Sequence, residues 1–473
     1  MTDAEAVLRR REERRATHEA LLARFALPVV SITVVAPGPL KDSPAIRRRL
    51  QAADAAVRAC VAGAGWTVVE SCDLGGPTGP ESIFVVDAEP RALKRALVAL
   101  EDAHPGGRLW DVDVVCAGPY GPQPLGRGEL GEAPRRCVLC ERPAHACARA
   151  RRHPLPVLLA GIEAVDAGAA VPGDAAAWAS LAAEALRVEA RLTPKPGLVD
   201  AAGSGSHDDM TLDTLLASAD ALEEWFLGCV LLGRAQGARA EASDARSPGV
   251  DEAALDDLVA MGKAAEDAML TATGGVNTHR GALFSLGLIL GAVGQATAGG
   301  RRPDVDAVCA DAGRVAGVLR DRWARSLGAR AARDQAGSHG ERAYLAAGTG
   351  GIRAEAASGF ATVRGAGLPA LRERRAASGG AGREDAALLW ALVSLMAVVD
   401  DSNMVTRGGV AGLREAQAWA SGLVSRRPDD DALVAELHAA DDRFVARRWS
   451  PGGSADLLAL TWFLDRVGAI GRD

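Results

Sequence analysis

The pattern of apolar positions changes character once along this chain. In the first third, short β-branched runs alternate with helical patterns, and beyond residue 175 strand signals nearly vanish. Glu5 to Phe25 reads as an amphipathic helix, rich in Arg and Glu on one face. Pro28 to Val35 is β-branched and bounded by proline, the pattern of a strand. A helix over Pro44–Ala62, strands at Thr67–Glu70 and Ser82–Val86, a helix over Arg91–His104 and a strand at Arg108–Cys116 follow. That order predicts an α+β domain with a mixed sheet over residues 1–165. Residues 166–174, with Gly168, Pro172 and Gly173, read as a linker. From 175 to 473, helical spacing runs through Ala175–Leu192, Leu212–Leu232, Asp251–Leu270, Gly281–Ala298, Val305–Leu327, Asp385–Val399, Asp429–Arg448 and Ala455–Val467. This half is expected to be an all-α helical domain, so the fold class is multidomain. Gly233–Gly249 and Gly365–Gly382 read as connections.

Composition narrows the function classes. The 473 residues are 48% hydrophobic and 24% charged, ordinary for a globular protein, and the net charge of −7 gives no reason to expect nucleic acid as partner. No apolar run reaches the length of a membrane span, and the charged N-terminus lacks the apolar core of a signal peptide. A cytoplasmic location is expected, with the eight cysteines as reduced thiols.

Polar residues then concentrate at a few places. Thr193-Pro194-Lys195-Pro196-Gly197-Leu198-Val199-Asp200 runs on to Gly205-Ser206-His207-Asp208-Asp209-Met210. The prolines stop the preceding helix, and Gly197 lets the backbone turn close to whatever binds there. Cation, imidazole and carboxylates so close together suit a phosphate-rich ligand carried with a divalent cation. The alternative is a capped loop, with Asp208 or Asp209 as N-cap of a helix beginning near Thr211. In the first half, Asp111 and Asp113 are one residue apart on a strand and so share a face, with Val112 and Val114 on the other. Such a pair suits Mg²⁺ held with substrate phosphates, as in nucleotidyltransferase-like sites, and fits a solvated edge strand equally well. Cys137, Cys140 and Cys147, with His145 and His153 nearby, leave structural zinc open, but the compressed spacing favours reduced thiols. Arg149 to His153 forms a basic cluster.

Three further sets lie between helices of the second half. Thr273-Gly274-Gly275-Val276-Asn277-Thr278-His279-Arg280-Gly281 precedes an apolar helix, where backbone N–H groups can hold phosphate. Ser338-His339-Gly340-Glu341-Arg342 is followed by the glycine-rich Gly348 to Glu355. Asp400-Asp401-Ser402-Asn403 leads to Arg407; it suits a metal–phosphate site or a doubly capped helix junction. Polar clusters at helix ends, far apart in sequence, are what an active site between helices requires.

Two resemblances follow from these motifs. Pro37-Gly38-Pro39-Leu40-Lys41, Thr78-Gly79-Pro80-Glu81, Gly107 to Val114 and Arg136-Cys137 through His153 resemble the holo-acyl-carrier-protein synthase of citrate lyase, a phosphoribosyl-dephospho-CoA transferase. The motifs of the second half, from Thr193 to Asn403, resemble triphosphoribosyl-dephospho-CoA synthase. Together the resemblances imply two reactions. ATP and 3′-dephospho-CoA would give 2′-(5″-triphosphoribosyl)-3′-dephospho-CoA and adenine. The product would then be transferred to a serine of the apo acyl carrier subunit of citrate lyase, with release of pyrophosphate. The same chemistry could serve malonate decarboxylase, and a non-catalytic dephospho-CoA delivery protein is the reading from another class. Mg²⁺ is the expected cofactor. On this reading Asp111 and Asp113 are metal ligands or catalytic groups, and Lys41, Arg108 and Arg149 contact phosphate. In the second half, Asp208, Asp209, Asp400 and Asp401 are metal or oxocarbenium candidates, and His207, His279 and Glu341 acid/base candidates. Lys195, Arg280 and Arg407, with Asn277 and Asn403, would hold substrate.

Overall fold

The computed structural model describes residues 4–76, 78–171, 173–242, 251–331, 350–377 and 384–467. The chain divides into two compact units, Met1–Gly173 and Asp174–Asp473.

The first unit opens with α1 (Ala4–Phe25) and β1 (Val29–Val34), then α2 (Pro44–Gly63), β2 (Thr67–Leu74) and β3 (Glu81–Asp87). It continues through α3 (Pro90–Ala103), β4 (Trp110–Gly118), β5 (Gly121–Pro124), α4 (Ala144–Ala150) and α5 (Leu155–Asp166). The sheet order is β2-β3-β1-β4-β5, and every pairing is antiparallel. The α+β reading holds, and the sheet is antiparallel throughout where a mixed one was expected. The helical crossovers do join strands of the same direction, but each pair has an antiparallel strand inserted between its members. The arrangement is a split βαβ unit. The short β5 escapes the sequence pattern because it is only Gly121-Pro122-Gln123-Pro124, an edge strand that needs few ladder bonds. α5 is apolar and helical to Asp166, the first residue of the stretch expected as a linker.

Register explains the two faces of the sheet. Val29, Ile83, Val85 and Val115 form an apolar cluster with Leu22 of α1. Further along the same face stand Ser31 opposite Asp113 and Thr33 opposite Asp111. The face that α1 covers is therefore apolar at one end and polar at the other.

The second unit is helical: α6 (Ala175–Arg191), α7 (Leu212–Ala242), α8 (Glu252–Ala272), α9 (Arg280–Thr297), α10 (Val305–Ala331) and α11 (Gly351–Ala357). Then come α12 (Leu368–Ala377), α13 (Glu384–Met396), α14 (Ser402–Arg426), α15 (Asp430–Ala446) and α16 (Gly452–Val467). α7 is the central member, packed against α6, α8 and α9, while α16 packs against α6, α9 and α13. The expected connection at 233 is instead a continuation of α7 to Ala242. Its small residues sit inside the contact with α9, where a helix break would expose both surfaces. Leu368–Ala377 is likewise helical where a connection was expected.

Gly197 shows what fixes the long loop between α6 and α7. Its φ is +72°, and a Cβ there would stand 2.2 Å from the carbonyl oxygen of Trp449. Its N–H donates to Asp441 Oδ1 at 2.8 Å. The close approach expected to serve a ligand thus serves the chain itself. Gly197→Ala is expected to destabilise the fold by about 2–5 kcal/mol, combining a left-handed backbone penalty with a backbone collision. Thermal unfolding checks this against Gly203→Ala, where nothing lies within 4 Å of the added methyl.

Candidate active site

A cavity of about 1410 Å³ opens among the helices of the second unit. Its lining draws together sequence segments that start at His207, Asn277, Gly350 and Asp400. His207, Asp209, Asn277, His279, Arg280, Asp400, Asp401, Asn403 and Arg407 all reach it. The convergence expected of four clusters is thus seen for three, and for the Gly350–Glu355 part of the fourth. Ser338, His339 and Glu341 lie outside the described residues.

Within this site the structure redistributes the roles. Lys195 is buried and does not line the cavity; its Nζ donates to the Glu189 carbonyl at 2.6 Å and to Glu189 Oε1. Its charge is neutralised behind the wall, so it does not hold phosphate in this arrangement. Asp200, also buried, accepts from Thr193 Oγ1 and from the N–H groups of Lys195, Ala202 and Gly203, which pins the loop. Asp208 points to Arg448 and is not part of the lining. Neither it nor Asp209 caps α7, since Thr211 Oγ1 accepts from Thr214 N at 3.3 Å.

Asp401 is a helix cap rather than a metal ligand. One of its oxygens accepts from Asn403 N and Met404 N, the other from Ser454 N and Oγ. Its neighbour Asp400 is exposed at the cavity, so it is the carboxylate of this pair that can reach a cation.

His279 is enclosed. Its Nδ1 lies 2.8 Å from Ser218 Oγ, which in turn accepts from Thr278 Oγ1 at 2.7 Å. Ser218 is thereby free to donate to Nδ1, leaving the proton on Nε2, a buried atom with no hydrogen-bond partner among the described residues. Burial, helped by the nearby Lys195 charge, pushes the imidazole down to about 3. His279 is thus a neutral hydrogen-bond donor and not the acid/base group expected from sequence. His207 Nε2 shares a hydrogen bond with Ser450 Oγ at 2.8 Å, and its Nδ1 lies 3.2 Å from Arg407 Nη2. Burial and the Arg407 charge hold it below the usual imidazole value.

The group missed from sequence is Asp456. It reaches the cavity from α16 and lies over the first turn of α9, accepting from Ala282 N. Only glycine fits beneath it, because a Cβ on Gly281 would stand 2.0 Å from Asp456 Oδ2. Burial, reinforced by the carboxylates of Glu189 and Asp401, holds its carboxyl well above the usual range. A carboxyl whose proton is held more tightly than usual, beside a cavity, is a candidate acid. The sequence signal was there: a lone carboxylate in the apolar run from Ala455 to Leu464. Phe284 and Trp323 also line the cavity, and the Arg353 guanidinium lies over both rings, 6.0 and 4.6 Å from their centres.

The polar end of the sheet forms a second site, in the first unit. Arg14 makes a two-pronged contact with buried Glu81, at 2.6 Å for each nitrogen. Arg10, at 8% exposure, bonds Thr78 Oγ1 at 3.1 Å. His18, a further four residues on, is buried, and burial with the Arg14 charge holds it below its ordinary value. Helical spacing puts Arg10, Arg14 and His18 on one stripe of α1, turned to the sheet. A pocket of about 240 Å³ is lined by Arg10, Arg11, Arg14, Lys41, Thr78 and Glu81 among others. Lys41 is therefore where an anion could use it, although its Nζ now donates to Ala36 O at 2.6 Å.

Asp111 and Asp113 do share a face, as alternation required. Each already has a cation, Arg135 at 3.1 Å from Asp111 and Lys94 at 3.7 Å from Asp113. Half of the Asp111 side chain is open to solvent, yet its surroundings lift its carboxyl above the usual range against the pull of Arg135. Arg108, expected at phosphate, instead donates to the carbonyls of Cys137 and Cys140 at 2.7 and 3.2 Å. Arg149 is exposed and lies outside the pocket lining.

Comparisons with known proteins agree with both halves. Residues 2–167 match the family model for apo-citrate lyase phosphoribosyl-dephospho-CoA transferase, and residues 175–472 that for ATP:dephospho-CoA triphosphoribosyl transferase. The chain is 32% identical to protein CitXG of Haemophilus influenzae over 471 residues, covering 97% of this chain and 95% of that one. A CitXG protein of Leuconostoc mesenteroides subsp. cremoris is 30% identical over 98% and 96% of the two chains. The 2-(5''-triphosphoribosyl)-3'-dephosphocoenzyme-A synthase of Klebsiella pneumoniae is 39% identical over 59% of this chain and 87% of its own. Among the described residues, no helix is long and apolar enough to cross a membrane.

Proposed function

Because the chain belongs to the ATP:dephospho-CoA triphosphoribosyl transferase family and is a bifunctional transferase, we propose that it both makes the citrate lyase prosthetic group and attaches it. The single observation that carries the first step is the convergence of distant polar loops on one cavity holding both exposed carboxylates and a buried one, Asp456.

In that step the 2′-hydroxyl of 3′-dephospho-CoA forms a bond to C1″ of the ATP ribose, and the bond from C1″ to adenine breaks. The hydroxyl proton passes to solvent, and a proton is delivered to the adenine ring. The reacting carbon gathers positive charge, as at other glycosidic bonds, so carboxylates nearby stabilise it. Asp456 supplies the proton to adenine, His279 Nε2 donates a hydrogen bond, and Arg280 and Arg407 face the triphosphate. Asp209 and Asp400, exposed at the cavity, are the oxygen donors that fit Mg²⁺ entering with phosphates. That ion would neutralise phosphate charge.

The second step runs at the polar end of the sheet. The carrier serine oxygen attacks the phosphorus that stays with the ribose, and pyrophosphate leaves. The pocket of Arg10, Arg11, Arg14 and Lys41 suits the departing pyrophosphate, and Asp111 and Asp113 suit a cation or the serine proton. Intact-mass analysis of apo carrier proteins, incubated with the full chain, ATP, Mg²⁺ and 3′-dephospho-CoA, tests the acceptor. The carrier of citrate lyase is expected to gain the phosphoribosyl-dephospho-CoA mass. Modification of a malonate decarboxylase carrier alone would reassign the acceptor, and none at all with tight dephospho-CoA binding would point to a delivery protein.

A further inference from the structure

A site that neither reaction uses lies in the segment 135–153. Cys137 N donates to Arg142 O and Ala144 N to Arg135 O, both at 2.8 Å, closing a tight hairpin around Cys137-Val138-Leu139-Cys140. The N–H groups of Leu139 and Cys140 point to the Cys137 sulfur. α4 then carries the buried Cys147 and ends at Arg151, whose φ of +45° turns the chain back. Arg152 N bonds Cys147 O at 3.1 Å, and the turn delivers His153 beside the thiols.

One ligand atom from each of Cys137, Cys140, Cys147 and His153 lies within 4.8 Å of all the others. The sulfurs of Cys140 and Cys147 are 3.5 Å apart. That is far longer than a disulfide at about 2.05 Å. It is close to the edge of a tetrahedron whose metal–sulfur bonds are about 2.3 Å, roughly 3.8 Å. We propose that Cys137, Cys140, Cys147 and His153 bind one zinc ion in a closed, four-coordinate structural site.

This reverses the preference for plain thiols drawn from the spacing. The compressed second half is workable because the left-handed turn at Arg151 folds His153 back, and His145, the nearer histidine in sequence, is exposed. Three soft thiolates with one imidazole are a zinc donor set, and all four positions are filled by protein, which leaves no open place for a reacting water. The loop is also tied to the functional face. Arg108 holds its two cysteine carbonyls, and Arg135, at its start, donates to the Trp110 carbonyl and pairs with Asp111. The metal thus anchors the arginine that partners the strand carboxylate.

The test is metal analysis of the full chain, purified without chelator or added metal, by inductively coupled plasma mass spectrometry. About one zinc per chain is expected, released in step with titration of the thiols by a mercurial. Cys140→Ser and His153→Ala should each lower bound zinc by at least about tenfold. Circular dichroism and thermal unfolding of each variant chain are the folding control, since the cluster lies in the first compact unit and adenine release in the second. Should a variant not fold, cobalt exchanged into the wild-type chain keeps the question open to measurement: a tetrahedral thiolate cobalt spectrum supports the site. Freely reactive thiols with no bound zinc, or a Cys140–Cys147 disulfide found by mass, would overturn it.

Discussion

Asp456→Asn is expected to slow adenine release by about 10²–10⁴-fold, the range for loss of a positioned general acid. Binding of 3′-dephospho-CoA, measured by calorimetry, should change little, because asparagine keeps the shape and can still accept from Ala282 N. The prediction rests on placement as well as acidity. Asp456 faces the cavity, sits on the first turn of α9 and is crowded by Glu189 and Asp401. The stability effect runs opposite to the activity effect. A carboxyl raised in the folded chain favours folding fully below its ordinary value of 3.8, and that contribution is lost as pH rises through the higher folded value. At neutral pH the wild-type chain therefore carries a cost that asparagine removes. The variant should melt at a higher temperature at neutral pH, with the gain vanishing as pH falls towards 3.8. The wild-type rate should fall as pH rises through the folded value, a limb the variant lacks. An unchanged adenine rate in the variant would reduce Asp456 to a helix cap.

Asp111→Asn is expected to lower carrier modification by about 100-fold or more while adenine release stays at the wild-type rate. Asp111 stands on the polar end of the sheet with Asp113 and is partnered by Arg135. Replacing it leaves Arg135 without its carboxylate and removes a negative oxygen from the place where phosphate chemistry would run. The cavity lined by Asp456 belongs to the other compact unit, so the two activities should separate cleanly. Following adenine by chromatography and the carrier by intact mass, in one reaction, reads both. Loss of both activities would point to a shared site or to a chain that no longer folds.

Much of this was legible in local pattern. Period two put Asp111 and Asp113 on one face, and the register with Thr33 and Ser31 bears that out. The helical half was readable as helical, although α12 and α14 were not, because a connection was read over the first and a polar metal–phosphate or capping junction at the start of the second. What local pattern could not supply was the partner across space. Lys195 looked like a phosphate ligand until Glu189 appeared beside it, and Arg108 until the Cys137 and Cys140 carbonyls did. Asp401 looked like half of a metal pair, yet the N–H groups of its own helix start and of Ser454 use both its oxygens. Asp456 carried the reverse problem. A lone acid in the apolar run from Ala455 to Leu464 has no motif around it, and only the packing of α16 on α9 gives it neighbours.

The central claim is that a sugar–base bond of ATP is broken by a hydroxyl of 3′-dephospho-CoA. The most direct measurement is chromatography of the full chain incubated with ATP and Mg²⁺, with and without 3′-dephospho-CoA. Free adenine should accumulate only when 3′-dephospho-CoA is present, in step with a new dephospho-CoA derivative bearing a triphosphoribosyl group. ADP or AMP in place of adenine would contradict the account, since the chain would then be breaking a phosphate bond and not the bond to the base.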